Sequence, residues 1–187
     1  FALFYPEKRP FFLEGLDQFS NPNRLIYTRQ IVSPRGGLKL TGKVSDTNVA
    51  LISAVDDTTA SATHSHPVFN LARLRRDVGR QSSLGLTYTD RVDGGNYNRV
   101  AAADPRIIFG RLYYAELQAG GVTSTAPLYT ATVDRTGRKW GFHYTFLAFD
   151  PTFQAQSGFV SRTGIAQWGA ANRFTWYGGR GAVVENL

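Results

Sequence analysis

The chain has 187 residues, 42% of them hydrophobic and 19% charged, a balance that excludes both a disordered chain and a helical membrane protein. It has no cysteine, which removes disulfides, zinc-thiolate sites and cysteine nucleophiles together. The formal net charge is +7, but the basic residues are spread along the chain rather than gathered on a helix, so an anion-handling groove or a membrane surface fits at least as well as nucleic acid, and no nucleic-acid partner is expected.

No run of about 18 apolar residues is present, so no transmembrane helix is expected. The chain contains no methionine and starts at Phe1, which reads as a fragment or a processed piece. Aromatic residues make up 13% and glycines number 19, an all-β profile shared with outer-membrane barrels.

Residues 1–23 form an irregular lead-in. Pro6, Pro10 and Pro22 each remove a backbone donor and keep the stretch out of a sheet. Its centre, FYPEKRPFFLEG from Phe4 to Gly15, crowds four charges and four aromatic rings into twelve residues. Phe12, Leu16 and Phe19 share a face if the chain turns helically there.

Strands are expected from residue 24 to the end of the chain. Residues 24–32 (RLIYTRQIV) read as the first, followed by a turn at 33–37 and an alternating strand at 38–44. Ser45-Asp46 turns tightly into a strand at 48–55. The polar stretch 56–67 is too long for a hairpin turn. Residues 68–78 (VFNLARLRRDV) suit a helix by composition, but Gly79 and the neighbouring pattern favour a strand hairpinned to 82–91. Residues 93–96 (DGGN) read as a turn. One long strand is expected at 106–119, ended by Gly120-Gly121, then strands at 127–135 and 139–150 joined by a tight type I′ or II′ turn at Thr136-Gly137. The last strand is expected at 164–177.

The stretch 139–150 has the cleanest period of two. Trp140, Phe142, Tyr144, Phe146 and Ala148 lie on one face, with Lys139, Gly141, His143 and Thr145 on the other. A transmembrane strand needs about 9–11 residues, apolar outward and polar inward. Some nine strands of this kind, with short turns contrasting with longer connections, predict an antiparallel up-and-down transmembrane β-barrel, incomplete in this chain. A soluble sheet with one buried face is the alternative.

FYPEKRPFFLEG closely resembles a signature of a bacterial outer-membrane family of unknown function, which runs approximately F-F-P-E-K-R-P-F-F-L-E-G. IYTRQI, GLKLTGK, RLRRDVGRQSSLGLTYTDR and DPTFQAQSGFVSRTGI resemble later blocks of that family in the same order, over nearly the whole chain. Members usually carry an upstream domain like the family-nine carbohydrate-binding modules, followed by a β-barrel. The resemblance implies a barrel in the outer membrane of a Gram-negative bacterium, with outer-membrane lipid as the surrounding partner. The upstream domain is absent here, and residues 181–187 (GAVVENL) lack the usual closing strand with a terminal aromatic.

Four groups of residues are candidates for function. Glu7, Lys8, Arg9 and Glu14 are read as lumen or plug residues, whose charges need partners once desolvated. Arg73, Arg75, Arg76, Arg80 and Arg91 are read as a basic lumen stripe, which would attract an anionic solute or pair with Glu7 and Glu14. Tyr113, Tyr114, Trp140, Trp168 and Trp176 are read as an aromatic girdle, with a sugar-stacking platform or ordinary core as alternatives. His64 and His66 lack further converging ligands, so no metal site is read there, nor any other cofactor.

No catalytic signature is present: no G-x-S-x-G, H-E-x-x-H or phosphate-binding glycine loop. The functional expectation is therefore solute passage or surface binding in the envelope. A soluble carbohydrate-binding or accessory β-domain is one alternative, and an envelope hydrolase using Glu7 or Glu14 is another.

Overall fold

The computed structural model describes residues 3–122 and 126–178. The closing-strand expectation for residues 181–187 lies outside them. The chain is all-β: nine antiparallel strands form one sheet in sequence order, each hydrogen-bonded to the next. They are β1 (Pro34–Val44), β2 (Thr47–Asp56), β3 (Val68–Val78), β4 (Ser82–Asp93), β5 (Asn96–Phe109), β6 (Tyr113–Val122), β7 (Ala126–Arg135), β8 (Trp140–Phe149) and β9 (Ile165–Phe174). Among the described residues β1 and β9 are free edges, so the sheet is an open meander.

Each strand has 10 to 14 residues, about twice the usual length in soluble sheets. The connections differ at the two ends. Residues 45–46, 79–81, 110–112 and 136–139 make short turns at one end. At the other, the connections include the long segments 57–67 and 150–164. We call these the short-turn end and the long-loop end.

The expected strand at 24–32 does not form. Thr28–Gln30 is instead a single 3-10 turn, and the irregular lead-in continues to Ser33. Leu25 and Ile26 are consecutive and both buried, which a strand with one buried face cannot achieve, because its side chains alternate. The backbone of this stretch pairs elsewhere: Tyr27 N–H donates to the Ser157 carbonyl at 2.8 Å, and Phe159 N–H donates to Arg24 at 2.9 Å.

The expected long strand at 106–119 is two strands. Gly110 and Arg111 both hold left-handed φ values, 57° and 59°, and reverse the chain between β5 and β6. Gly120 and Gly121 lie inside β6 rather than ending it. The link from β7 to β8 is four residues, 136–139, and neither Thr136 nor Gly137 holds the positive φ that a two-residue type I′ or II′ turn demands. Residues 34–37, expected in a turn, already belong to β1.

The turn at Ser45-Asp46 is as tight as expected, but Ser45 sits at φ 51°. A left-handed conformation costs a residue with a Cβ about 1 kcal/mol. Ser45→Gly should therefore raise stability by about that amount, read as a shift in the denaturation midpoint. An unchanged or lower midpoint would show that the serine is not strained.

The core lies on one face of the sheet only. Phe12, Phe19, Ile26 and Ile31 of the lead-in pack on Ala50, Ile52, Ala54, Phe69 and Leu71 of β2 and β3. Leu25 and Phe153 pack on Val100, Ala102, Ala126, Leu128 and Phe149 of β5, β7 and β8. The lead-in and the 150–164 segment thus cover this face, and the opposite face is bare.

Candidate functional site: a plugged face and a bare apolar face

The opening motif folds on itself before it meets the sheet. Pro10 opens a single helical turn, Pro10–Leu13, where its missing N–H costs nothing. The turn drives Phe12 into the core and leaves Phe11 outside. Arg9 reaches back to Glu7 in a two-pronged ion pair, Nε to Oε1 at 2.9 Å and NH2 to Oε2 at 2.7 Å. The same guanidinium donates to the backbone carbonyls of Ile31 and Thr28 and lies 4.3 Å from the Phe12 ring centre.

The Glu7 side chain is only 3% exposed. Burial pushes its carboxyl pKa up, but the Arg9 side chain, the Thr28 hydroxyl and the backbone N–H groups of Arg9 and Lys8 outweigh it and bring the pKa down to about 2. Glu7 is therefore a fully engaged acceptor. Glu14 is 87% exposed and 3.9 Å from Lys39, and Lys39 spends its ammonium on the carbonyls of Phe11 and Glu14. Lys8 is exposed. The strand arginines do not supply the partners of Glu7 and Glu14: those come from Arg9 and Lys39. Nor do the two carboxylates form a pair held around a common space.

The register divides the basic residues expected to form one stripe. Arg73, Arg75 and Arg91 share the covered face, whereas Arg76 lies on the bare face and Arg80 in the turn after β3. Arg73 is buried and committed. It grips Asp104 of β5, with NH2 to Oδ2 at 2.6 Å, and donates to the Thr87 hydroxyl and the Ser20 carbonyl. Gly85 makes room for this pair, since a Cβ there would stand 2.3 Å from Asp104 Oδ2 and 2.5 Å from the Arg73 guanidinium.

Arg91 is committed as well. It bonds Gln156 at 2.8 Å and Asp93 at 3.1 Å, tying β4 to the 150–164 segment. Of the five, Arg75 alone stays both exposed and on the covered face.

The aromatic candidates also separate. Tyr113 and Trp140 lie on the bare face at the short-turn end, and Trp168 lies on the same face further into its strand, opposite Phe146. Trp176 follows β9 and is exposed. Tyr114 is on the covered face, adjacent in register to Asp134. The rings run in a row from Trp140 to Phe142 at 5.5 Å, Tyr144 at 4.8 Å and Trp168 at 6.5 Å.

One residue escaped the sequence reading: Asp104, the buried partner of Arg73. Its signal was a lone acid in phase with Val100 and Ala102. The apolar phase expected of the strands is the bare face. Leu38, Leu40, Leu51, Leu74, Leu86, Ile107, Leu117, Tyr129 and Phe174 all stand exposed there, with Trp168 at 69% and Phe174 at 72%. Charged residues on this face are confined to Arg76, Asp90, Arg99 and Arg135, each within about one turn of a strand end. His64 and His66 lie in the 57–67 connection, and no metal-binding group of three ligands occurs among the described residues.

Comparison with protein-family models, with curated proteins and with solved structures found no match.

Proposed function

We propose that this chain is the strand-forming part of an outer-membrane β-barrel, its bare face toward lipid and its lead-in occupying the lumen side. The observation that carries the reading is the two-sidedness of the sheet. Nine strands of 10 to 14 residues expose a nearly uncharged apolar face. Their opposite face is polar or packed against the chain's own segments.

Soluble monomers rarely expose a contiguous apolar patch beyond about 300–600 Å², and a face running across nine strands exceeds that. A strand of 10 residues, tilted, spans the hydrocarbon core. In a bilayer the bare face is solvated by acyl chains rather than left in water. An open hollow of 510 Å³ on this face, lined mostly by alanine and leucine side chains of β3, β4, β5 and β6, is almost wholly apolar.

The lead-in fits a fixed plug better than a gate. Arg9, Lys39 and Arg73 each bond backbone carbonyls within it or across to it. Solute passage along the covered face would require those contacts to break. A sugar platform on the Trp140–Trp168 row is less well supported, because the polar groups beside the rings are already engaged with one another or with backbone, Tyr144 with Asn172 and Arg135 with the Trp140 carbonyl.

The absence of cysteine allows a direct test. Single cysteines would replace Leu86 and Phe146 on the bare face, and Thr145 and Ala171, which the plug does not bury, on the covered face. In liposomes, a water-soluble maleimide should label the covered-face pair and spare the bare-face pair. Equal labelling of all four would exclude lipid contact.

A further inference from the structure

The short-turn end carries cations that nothing in the fold neutralises. Its four turns, residues 45–46, 79–81, 110–112 and 136–139, hold Arg80, Arg111, Arg138 and Lys139 against the single acid Asp46. Among the described residues none of these cations has a carboxylate within ion-pair distance, and neither does Arg135 at the end of β7. Lys43 and Asp77 do pair at this end, at 2.6 Å, and other ion pairs lie elsewhere. Arg9, Arg73 and Arg91 are paired on the covered face, and Arg99 is paired with Asp90 at the long-loop end.

The unpaired cations sit among aromatic rings at the border of the bare face. The Arg135 guanidinium lies 4.8 Å from the Trp140 ring centre and 5.5 Å from that of Tyr113. Arg138 lies 4.5 Å from the Tyr177 ring centre. Beside them is a cavity of 360 Å³, lined by Lys139, Trp140, Phe174, Thr175, Trp176 and Tyr177. Its lining joins one cation, Lys139, to aromatic rings that continue into the apolar face, and Arg135 and Arg138 stack on two of those rings, Trp140 and Tyr177.

The geometry points to a binding site for a phosphate-bearing anionic lipid at this rim. The headgroup sits among Arg135, Arg138 and Lys139, and the acyl chains run down the bare face past Trp140 and Phe174. The charge complementarity selects the occupant: cations stacked on rings keep their positive charge available, and an amphipathic hollow matches a molecule that is anionic at one end and apolar along its length. Basic residues beside a membrane attract anionic headgroups with a gain of roughly fivefold in affinity each. The inference rests on the membrane-barrel reading.

The test uses tryptophan quenching by brominated lipids in a Trp168→Phe background, where Trp140 and Trp176, both at the rim, are the remaining reporters. The protein is placed in phosphatidylcholine vesicles containing graded amounts of brominated phosphatidylglycerol or brominated phosphatidylcholine. Half-maximal quenching should need at least about tenfold less of the anionic lipid. The Arg135→Gln/Arg138→Gln/Lys139→Gln variant should lose that preference while keeping its quenching by brominated phosphatidylcholine.

Equal quenching by the two lipids in the unsubstituted rim would overturn the lipid site and leave the membrane reading standing. No quenching by either lipid would overturn both. The unsubstituted protein decides between these outcomes even if the triple variant does not fold.

Discussion

Asp104→Ala is expected to destabilise the folded protein by about 3–5 kcal/mol, because it leaves Arg73 as an uncompensated buried charge. Arg73 and Asp104 side chains are only 4% and 7% exposed. The guanidinium has three kinds of partner, the Asp104 carboxylate, the Thr87 hydroxyl and the Ser20 carbonyl, so it joins β3, β4, β5 and the lead-in at one point. Removing the carboxylate should loosen the lead-in as well as the sheet. The measurement is denaturant unfolding in detergent micelles, with proteolysis in residues 20–33 as a second readout. The double replacement Arg73→Met/Asp104→Leu should recover most of the loss, since it removes the charge along with its partner. A loss below about 1 kcal/mol for Asp104→Ala would mean that the pair is effectively solvated.

What could be read from the chain follows from how local each feature is. The strand at β8 was legible because Trp140 through Phe146 alternates aromatic rings in one phase with small or polar residues in the other. β3 was legible over a helix only through Gly79 and the neighbouring pattern, which put Arg73 and Arg75 in one phase. The lead-in was legible as non-sheet from its prolines. The stretch after it was not, because Leu25, Ile26 and Ile31 have the composition of a strand and lack only the alternation. Their burial is set by the 150–164 segment, more than a hundred residues away. The partner of Glu7 escaped for the opposite reason. Arg9 is two residues on, a spacing that brings side chains together only when the backbone turns as it does before Pro10.

The single large site expected from the arginines dissolves in the same way. Arg73 and Arg76 are three residues apart in one strand, so they must face opposite sides. Spacing alone said as much, but clustering in the sequence concealed it. The buried arginines serve the joint between lead-in and sheet. The cations left for a ligand lie in the short turns, where sequence gives no face and only the fold gathers them.

Glu7→Gln should cost the protein most near neutral pH and nothing in strong acid. The Glu7 carboxyl drops from its ordinary value of 4.5 to about 2 in the folded chain. A group whose pKa is lowered by folding stabilises the fold above its unfolded pKa and loses that contribution as the pH falls through its folded pKa. The window here therefore runs from about 4.5 down to about 2. A shift in that direction, discounted for solvent screening of a half-buried residue, is worth on the order of 1–3 kcal/mol above the window. Wild type should exceed Glu7→Gln by about that amount near pH 7, and the two should converge near pH 2. The measurement is the denaturant midpoint of both proteins across this range. A constant difference at every pH would show that Glu7 acts through packing. A difference that grows toward low pH would reverse the sign and remove the Arg9–Glu7 pair as the clasp that holds the plug's fold.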